Sequence, residues 1–376
     1  MSPEDQAIAL FRERFGSDPT TVVQAPGRVN LVGGHTDYNN GFVLPMAIDR
    51  RTVIAARPRT DTSVVAWSEG FPEASFDLRS LERGAGWSEY LMGVAWAMGA
   101  DTLPGWDGVV TSTIPVGASL SSSAALELAT ALTFSTIAGE GWDAVEAAQL
   151  AHTAEVGWVG VNSGIMDQLI SACGREDHAM LLDCRDLTQQ HILMPPGVRV
   201  VVLDTGTRRT LTTSNYNQRR DECDAAATAF GVETLRDLAV ERLQQPPAGI
   251  GEIPLSRVRH VVEENARTLT AATAMSTGDT TLLGKMISKS HVSLRDNFNV
   301  SSDALNAMAG AATASPGCLG ARMTGAGFAG CAIALVEEAA LDEFITETTR
   351  RYRESTDQEP SVYVCAAAGG ASAVMM

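Results

Sequence analysis

The chain has 376 residues and a formal net charge of −17, from 45 acidic and 28 basic residues. This length exceeds what one compact core usually holds, so it predicts two domains. The acidic balance disfavours nucleic acid and anionic membranes as partners, because like charges repel. No apolar run approaches the roughly 20 residues of a membrane span, and the charged N-terminus lacks a signal-peptide core, which predicts a cytoplasmic protein. We expect a monomer or weak oligomer with small-molecule partners.

The first half of the chain predicts a short helix, then strands, then longer helices. The first helix starts at Ser2 or Pro3 and is amphipathic. Runs of β-formers bounded by Gly, Pro and polar residues predict strands at Thr21–Ala25, Thr52–Ala56, Ser63–Trp67 and Val109–Thr113. Further helices are predicted at Ala124–Ala138 with Gly139 as the stop, at Trp142–Val156 and at Ile165–Ala172.

The second half again mixes strands and helices, after a plausible boundary at Pro195-Pro196-Gly197. Strands are predicted at Val198–Leu203, Cys331–Val336 and Val362–Cys365. Helices are predicted at Ser214–Phe230 and near 256–276, 279–291 and 302–313. Mixed elements in both halves predict an α+β protein. The six cysteines have no CxxC or metal-type spacing, so we expect reduced, mostly buried thiols.

The segment APGRVNLVGGHTDYNNGFVLPMAI, residues 25–48, concentrates the polar chemistry of the chain. It places Arg28, His35 and Asp37 on Gly- and Pro-rich turns between short apolar runs, which is typical of a binding loop on a rigid scaffold. A solvated turn is the alternative for this loop alone. Two further loops favour the binding site: PVGASLSSSAA at 115–125 and TGAGFAG at 324–330.

The loop at 115–125 has the features of an anion site. Gly117 and the small residues after it let backbone N–H groups approach an anion, and Ser121, Ser122 and Ser123 precede a predicted helix. The first N–H groups of a helix have no internal partner and lie at the positive end of its dipole. Serine capping of the helix is the alternative. The loop is not a Walker A motif, because no Gly-Lys-Ser/Thr follows.

These motifs resemble the GHMP family of small-molecule kinases, and within it the branch that phosphorylates galactose. The similarity lies in RVNLVGGHTDYNNG (28–41), in PVGASLSSSA (115–124) and in GIMDQ (164–168). The resemblance implies a β/α domain at 1–195 and a ferredoxin-like domain at 196–376, with the active site between them. It implies transfer of phosphate from ATP, with Mg²⁺, to the anomeric hydroxyl of galactose.

Two other activities stay open beside this one. A related sugar with an axial C4 hydroxyl, such as L-arabinose, galacturonate or N-acetylgalactosamine, is an alternative substrate. A regulatory sensor that binds sugar and ATP without turnover is a further alternative, although such a protein need not keep the catalytic residues.

The resemblance also implies the site residues. Asp167 would face the anomeric hydroxyl, and Arg28 would stabilise the transferring phosphoryl group and keep Asp167 ionised; a structural Arg–Asp pair is the alternative. The implied sugar pocket consists of Gly34, His35, Asp37, Gly164 and Tyr216. The implied nucleotide site consists of Trp87, Gly117, Ser119, Ser121, Ser122 and Ser123. Ser123 and Glu155 would contact Mg²⁺. The structural alternatives are that Tyr216 is an aromatic residue on a helix face and that Glu155 is a solvent-exposed residue without a function.

Three residues depart from the family pattern. Gly34 stands where the family usually has Glu, Ser119 where it has Gly, and Ala329 where it has Gly. The resemblance places the missing carboxylate near the C6 hydroxyl of the sugar. Gly34 therefore predicts a weaker preference for galactose and a broader tolerance at C6.

Overall fold

The computed structural model describes residues 1–208 and 212–376. Its helices are α1 (Pro3–Phe15), α2 (Ser88–Ala97), α3 (Ser122–Ala138), α4 (Ala144–Ala154), α5 (Met166–Cys173), α6 (Thr212–Phe230), α7 (Glu252–Ser276), α8 (Thr280–Asp296), α9 (Asp303–Thr313) and α10 (Leu341–Thr356). Its strands are β1 (Thr21–Asn30), β2 (Phe42–Val43), β3 (Pro45–Pro58), β4 (Ser63–Trp67), β5 (Ala74–Asp77), β6 (Trp106–Ser112), β7 (His178–Asp183), β8 (Gln189–Leu193), β9 (Val198–Asp204), β10 (Cys318–Met323), β11 (Cys331–Glu337), β12 (Ser361–Cys365) and β13 (Ser372–Met375).

The N-terminal helix forms where its sequence predicts it. Ser2 and Asp5 form a capping box that satisfies two backbone N–H groups, and Gly16 ends the helix in the left-handed region. The helix buries Ala7 and Phe11 against residues of β1, β3 and β6. The predicted strands and helices are confirmed as elements, with ends that shift by up to seven residues, the largest shift being the start of the strand at Pro45–Pro58.

The N-terminal domain is built on a six-stranded sheet in the order β13-β1-β3-β6-β4-β5. Neighbouring strands are antiparallel except β4 and β6, which are parallel. Helices α3 and α5 pack on β1 and on each other, so their first turns lie beside one end of that strand. A smaller sheet, β2-β7-β8, carries the end of the 28–41 segment through β2.

The C-terminal domain contains a four-stranded antiparallel sheet in the order β10-β11-β9-β12. Helices α9 and α10 cover one face of this sheet, where Val201 and Leu203 pack against Met308, Phe344 and Tyr352. This layered arrangement confirms the predicted α+β class, with N- and C-terminal domains. The boundary at 195/196 stays a prediction, and β13 from the end of the chain pairs with β1 of the first sheet.

Within the described residues, no helix combines the length and apolar character needed to cross a membrane. The six cysteines all lie within the described residues and none of them forms a disulfide bond; four of them are buried.

Candidate active site

A cavity of about 580 Å³ lies where the three sequence loops meet. The 28–41 segment, the 115–125 loop and the first turn of α5 line it from the N-terminal domain, while Arg208, Tyr216, Gly325 and Ala326 line it from the C-terminal part. This volume suits a small molecule in a largely preformed cleft. Every site residue predicted from the sequence contributes to its lining.

Arg28 and Asp167 form the charged centre of the cavity. The guanidinium donates from Nε to Oδ1 at 2.8 Å and from Nη2 to Oδ2 at 2.7 Å, although 139 residues separate the two. Nη1 of Arg28 donates to the carbonyl of Ser119 at 2.8 Å, so all three guanidinium nitrogens are hydrogen-bonded and the orientation of the group is fixed. The side chain of Arg28 is 6% exposed and that of Asp167 is 24% exposed, so the carboxylate is the accessible member. Such a bidentate pair has a rigid geometry.

In the 115–125 loop, the side chain of Ser121 hydrogen-bonds to a residue of the cavity and does not cap the helix that follows. Ser121 occupies the position before α3, but its side chain makes no capping bond and donates instead to Oδ2 of Asp167. Simple capping therefore does not explain this serine. Ser119 has a φ of 64° and Ser121 a φ of 58°, in the left-handed region that favours glycine. A glycine would adopt this backbone conformation at Ser119 without the steric cost of a Cβ.

Glu155 lies next to Ser123 at the first turn of α3. Ser123 donates to Oε1 of Glu155 at 3.0 Å, and Ser163 donates to Oε2 at 2.6 Å. Glu155 begins a π-helical turn that continues α4, and such turns are frequent at functional sites. Across the described ranges, no group of three or more His, Cys, Asp or Glu side chains could hold a metal ion. One carboxylate and one hydroxyl still fit Mg²⁺, which takes its other ligands from phosphates and water.

The opposite end of the cavity holds His35, Asp37, Gly164 and Tyr216. The rings of His35 and Tyr216 have centroids 5.5 Å apart. His35 also hydrogen-bonds through Nδ1 to the hydroxyl of Tyr38 at 2.9 Å. A Cβ on Gly164 would overlap the carboxylate of Asp37, so only glycine leaves room for that side chain. The sequence therefore builds a small polar pocket next to Asp167.

Burial changes the ionisation of this pocket. It lowers the pKa of His35 to about 3, so the imidazole is neutral at pH 7. Burial, and then the charge of Asp167, raise the pKa of Asp37 to about 6. Burial also raises the pKa of Tyr216 well above its usual value, so its hydroxyl keeps its proton. Asp37 is thus the group of this pocket that titrates just below neutral pH.

The raised pKa of Asp37 predicts weaker binding of a hydroxyl-bearing ligand in mild acid. An ionised carboxylate accepts more hydrogen bonds from ligand hydroxyls than a protonated one, so kcat/KM should fall as the pH drops through about 6. Profiles of kcat/KM from pH 5 to 8 measure this acidic limb. Asp37→Asn should lower kcat/KM at pH 8 and remove the limb. A profile that is flat between pH 5 and 7 in the parent would contradict the prediction.

The backbone of Gly34 lines the cavity, and its N–H and carbonyl groups are both hydrogen-bonded to buried side chains. Its N–H donates to Oε1 of Glu264 at 3.1 Å, and its carbonyl accepts from Nε2 of His260 at 2.9 Å. A Cβ at this position would lie 2.7 Å from Nη2 of Arg322 and 3.2 Å from Leu294. Among the described residues, that buried Nη2 has no hydrogen-bond partner. The guanidinium thus occupies the direction in which a side chain at position 34 would start.

Three aromatic side chains, Phe71, Trp87 and Tyr90, line the cavity together with the 115–125 loop, which we call the phosphate loop. Trp87 donates from its indole to the carbonyl of Pro72 at 2.7 Å, which fixes its ring. Phe71 is 44% exposed, and its ring centroid lies 6.4 Å from that of Trp87. Tyr90 also lines the cavity. A planar base could stack on such a wall. Sequence reasoning missed Phe71, which lies in a polar turn without periodicity.

Arg208 is the second cation of the cavity and was also missed. It pairs with both oxygens of Asp204 at 2.7 and 2.8 Å, at the end of β9. A Cβ on Gly117 would lie 3.3 Å from Cδ of Arg208, so the arginine borders the phosphate loop. The signal in the sequence is an Arg pair directly after a buried strand, in DTGTRR at 204–209.

Comparisons with known proteins agree with this geometry. The family model for the galactokinase galactose-binding signature matches residues 9–58, and the models for the GHMP kinases N terminal domain and GHMP kinases C terminal match 89–175 and 271–354. A galactokinase of a Roseiflexus species is 45% identical over 374 residues, covering 97% of this chain and 96% of the relative. One from Chloroflexus aggregans is 46% identical over 376 residues, with the same coverage.

Solved structures agree in the fold. The crystal structure of Lactococcus lactis galactokinase complexed with galactose superposes with a TM-score of 0.93 at 34% identity, covering 97% of this chain and 98% of that one. A mevalonate kinase crystal structure superposes with a TM-score of 0.65 at 16% identity, over 92% of this chain and 98% of that one, and so shares the fold.

The fold and the cleft between the phosphate loop and the C-terminal part define a small-molecule kinase of the GHMP class. Kinases of this class use ATP as a substrate. Within that class, the chain belongs to the galactokinase family. It is therefore a sugar kinase.

Proposed function

We propose that this chain transfers the γ-phosphoryl group of ATP to the anomeric hydroxyl of galactose, giving galactose 1-phosphate and ADP. The observation that carries the proposal is the Arg28–Asp167 pair, which lies between the start of α3 and the His35–Asp37 pocket. This arrangement places one accessible carboxylate between a sugar-sized pocket and an anion-seeking helix end. The cytoplasmic location and the monomeric or weakly oligomeric state stay predictions.

Asp167 is the proposed catalytic carboxylate. It orients the anomeric hydroxyl and accepts its proton, while the bidentate contact with Arg28 fixes the orientation of the carboxylate. Arg28 stabilises the negative charge that spreads over the transferring phosphoryl oxygens. Asp37 and the neutral His35 bind the sugar hydroxyls, and the N–H groups at the start of α3 bind the triphosphate.

Mg²⁺ is the proposed counter-ion of the triphosphate, with Ser123 and Glu155 as its protein ligands. Bound there, it would neutralise phosphate charge that the net charge of −17 otherwise repels. We expect Mg·ATP to raise the free energy of unfolding by about 2.7 kcal/mol at about 100-fold excess over Kd. Thermal melts with and without Mg²⁺ measure this. No shift at millimolar Mg·ATP, with or without sugar, would count against nucleotide binding here.

The Gly34 departure bears on the alternative sugars. A glutamate at position 34 would offer an acceptor to Nη2 of Arg322, whose far end must give way, and the family resemblance places its carboxylate near the C6 hydroxyl of the sugar. We expect Gly34→Glu to raise the galactose-to-arabinose ratio of kcat/KM by roughly 10- to 100-fold, because a hydrogen bond to a charged acceptor contributes about 1.5–3 kcal/mol.

Gly34→Ala is the matched control, since it fills the same Cβ position without adding an acceptor. It should lower the melting temperature and leave the sugar ratio unchanged. If Gly34→Glu also leaves the ratio unchanged, then position 34 does not read C6 and another group has taken over that end of the sugar.

A coupled ADP-release assay against free sugars tests the proposed function. The panel consists of galactose, L-arabinose, galacturonate, N-acetylgalactosamine and glucose. We expect the highest kcat/KM with galactose. A clear preference for another member would support the alternative substrates. Sugar-dependent stabilisation without ADP release from any sugar would favour the sensor.

A further inference from the structure

A buried polar bridge lies behind the proposed magnesium ligands, on the side away from the cavity. Nε2 of Gln168 donates to Oε2 of Glu127 at 3.0 Å and to Oε2 of Glu155 at 2.9 Å. Glu127 and Gln168 are both 0% exposed, and neither lines the cavity. One amide therefore connects a fully buried carboxyl group on α3 to the carboxylate of Glu155.

The bridge ties together the elements that carry the chemistry. Glu127 lies one turn after Ser123 on α3, and Gln168 directly follows Asp167 on α5. Glu155 begins the π-helical turn after α4. The amide group of Gln168 thus connects all three segments, and it contacts Oε2 of Glu155, which Ser163 also contacts, while Ser123 contacts Oε1.

Stability alone does not explain these residues. Oε1 of Glu127 and Oε1 of Gln168 are buried and accept no hydrogen bond from the part of the chain that the structure describes. Leaving buried acceptors unpaired costs free energy, and apolar side chains of similar size would pack α3 against α5 without that cost. A buried, incompletely hydrogen-bonded polar pair that contacts Glu155 therefore points to a role in positioning that carboxylate.

The charge of Glu127 suits such a role. Burial, followed by the nearby charges of Glu155 and Asp167, raises the pKa of Glu127 well above its usual range. Either form of this carboxyl group has an oxygen that accepts from Nε2 of Gln168. A glutamine at position 127 also offers an oxygen acceptor and should therefore replace Glu127, whereas an apolar side chain offers none and should not.

We propose that Glu127 is a positioning residue that acts through Gln168 to hold Glu155 in the orientation that binds Mg²⁺ with the nucleotide. The proposal rests on the proposed function, because it assigns Glu155 to the metal. Groups that orient metal ligands typically change metal affinity or activity by about 10- to 100-fold when they are removed.

The experiment compares Glu127→Leu with Glu127→Gln. Its primary readout needs no turnover: Mg²⁺ is titrated at fixed ADP, and the melting temperature reports the half-saturating concentration of Mg²⁺. We expect Glu127→Leu to raise that concentration by about tenfold or more, and Glu127→Gln to stay within about threefold of the parent. In turnover, Glu127→Leu should lower kcat while KM for galactose stays within about twofold.

Thr133→Val is the matched control. Thr133 is buried on the same helix, and its hydroxyl donates to the carbonyl of Ala129 at 2.8 Å. This variant should keep the Mg²⁺ dependence of the parent even if it melts earlier. Gln168→Met removes the bridging donor and leaves Glu127 in place, so it should reproduce the effect of Glu127→Leu if that variant does not fold.

The outcomes separate this proposal from the proposed function. If the parent shows Mg²⁺-dependent stabilisation by ADP and a folded Glu127→Leu or Gln168→Met shows the same dependence, the positioning role is wrong. The role is also wrong if a folded Glu127→Gln needs as much Mg²⁺ for half-saturation as Glu127→Leu does. If the parent shows no Mg²⁺-dependent stabilisation at all, the metal assignment fails and this proposal fails with it.

Discussion

Asp167→Asn should remove turnover and leave the protein folded. The variant keeps the size of the side chain and one oxygen acceptor for Arg28, but it loses the negative charge and the basic oxygen next to the sugar pocket. General-base help alone contributes roughly 10²–10⁴ in rate, so we expect kcat to fall by at least about that factor. Coupled ADP release with galactose measures the loss, and circular dichroism with thermal melts tests the fold.

Asp107→Asn is the control for this variant. Asp107 is likewise a carboxylate paired with arginine, here with both Arg57 and Arg59, but it is buried and does not line the cavity. Its variant should lose stability and keep kcat. Turnover by Asp167→Asn within a few-fold of the parent would contradict the catalytic role, and unfolding of Asp167→Asn would favour a structural Arg–Asp pair.

Arg28→Lys should be nearly as damaging, although it conserves the charge. Arg28 makes two parallel bonds to Asp167 and one to the carbonyl of Ser119, a fork that a lysine ammonium cannot reproduce. A lysine also offers fewer hydrogen-bond donors to the phosphoryl oxygens than an arginine does. Loss of one such donor lowers kcat by a factor of about 10²–10³. We expect a fall of that size.

Arg57→Lys is the matched control, because Arg57 also contacts one carboxylate through two nitrogens, at Asp107. It should leave kcat unchanged. If Arg28→Lys retains the parent kcat, then the planar fork is not needed, and a charge near Asp167 is sufficient.

Part of the candidate site was predictable because its residues lie in short loops with distinctive composition, whereas Trp87, Glu155, Gly164, Asp167 and Tyr216 lie outside those loops and were implied by the family resemblance. Arg28, His35 and Asp37 share one segment, and the serines at 121–123 precede a strongly predicted helix. Those loops lie at the ends of buried strands and helices, so local patterns were sufficient to place them. The structure brings all of them to one cavity.

The remaining features depend on long-range contacts that local patterns do not encode. Strand β13 owes its place to pairing with β1, some 350 residues earlier in the chain. The side chain of Ser121 donates to Asp167, 46 residues later in the chain, instead of capping α3. Glu127 looks like any helical glutamate until tertiary packing encloses it completely.

Phosphate on the anomeric carbon of galactose is the central claim, and the product itself tests it most directly. Galactose labelled with ¹³C at C1 is incubated with Mg·ATP and the parent protein, and the product is examined by ¹³C and ³¹P nuclear magnetic resonance. We predict a sugar phosphate whose phosphorus is coupled to C1, formed in step with ADP and not formed by Asp167→Asn. Phosphate on another carbon, or no phosphorylated galactose from folded protein with Mg·ATP, would contradict the account.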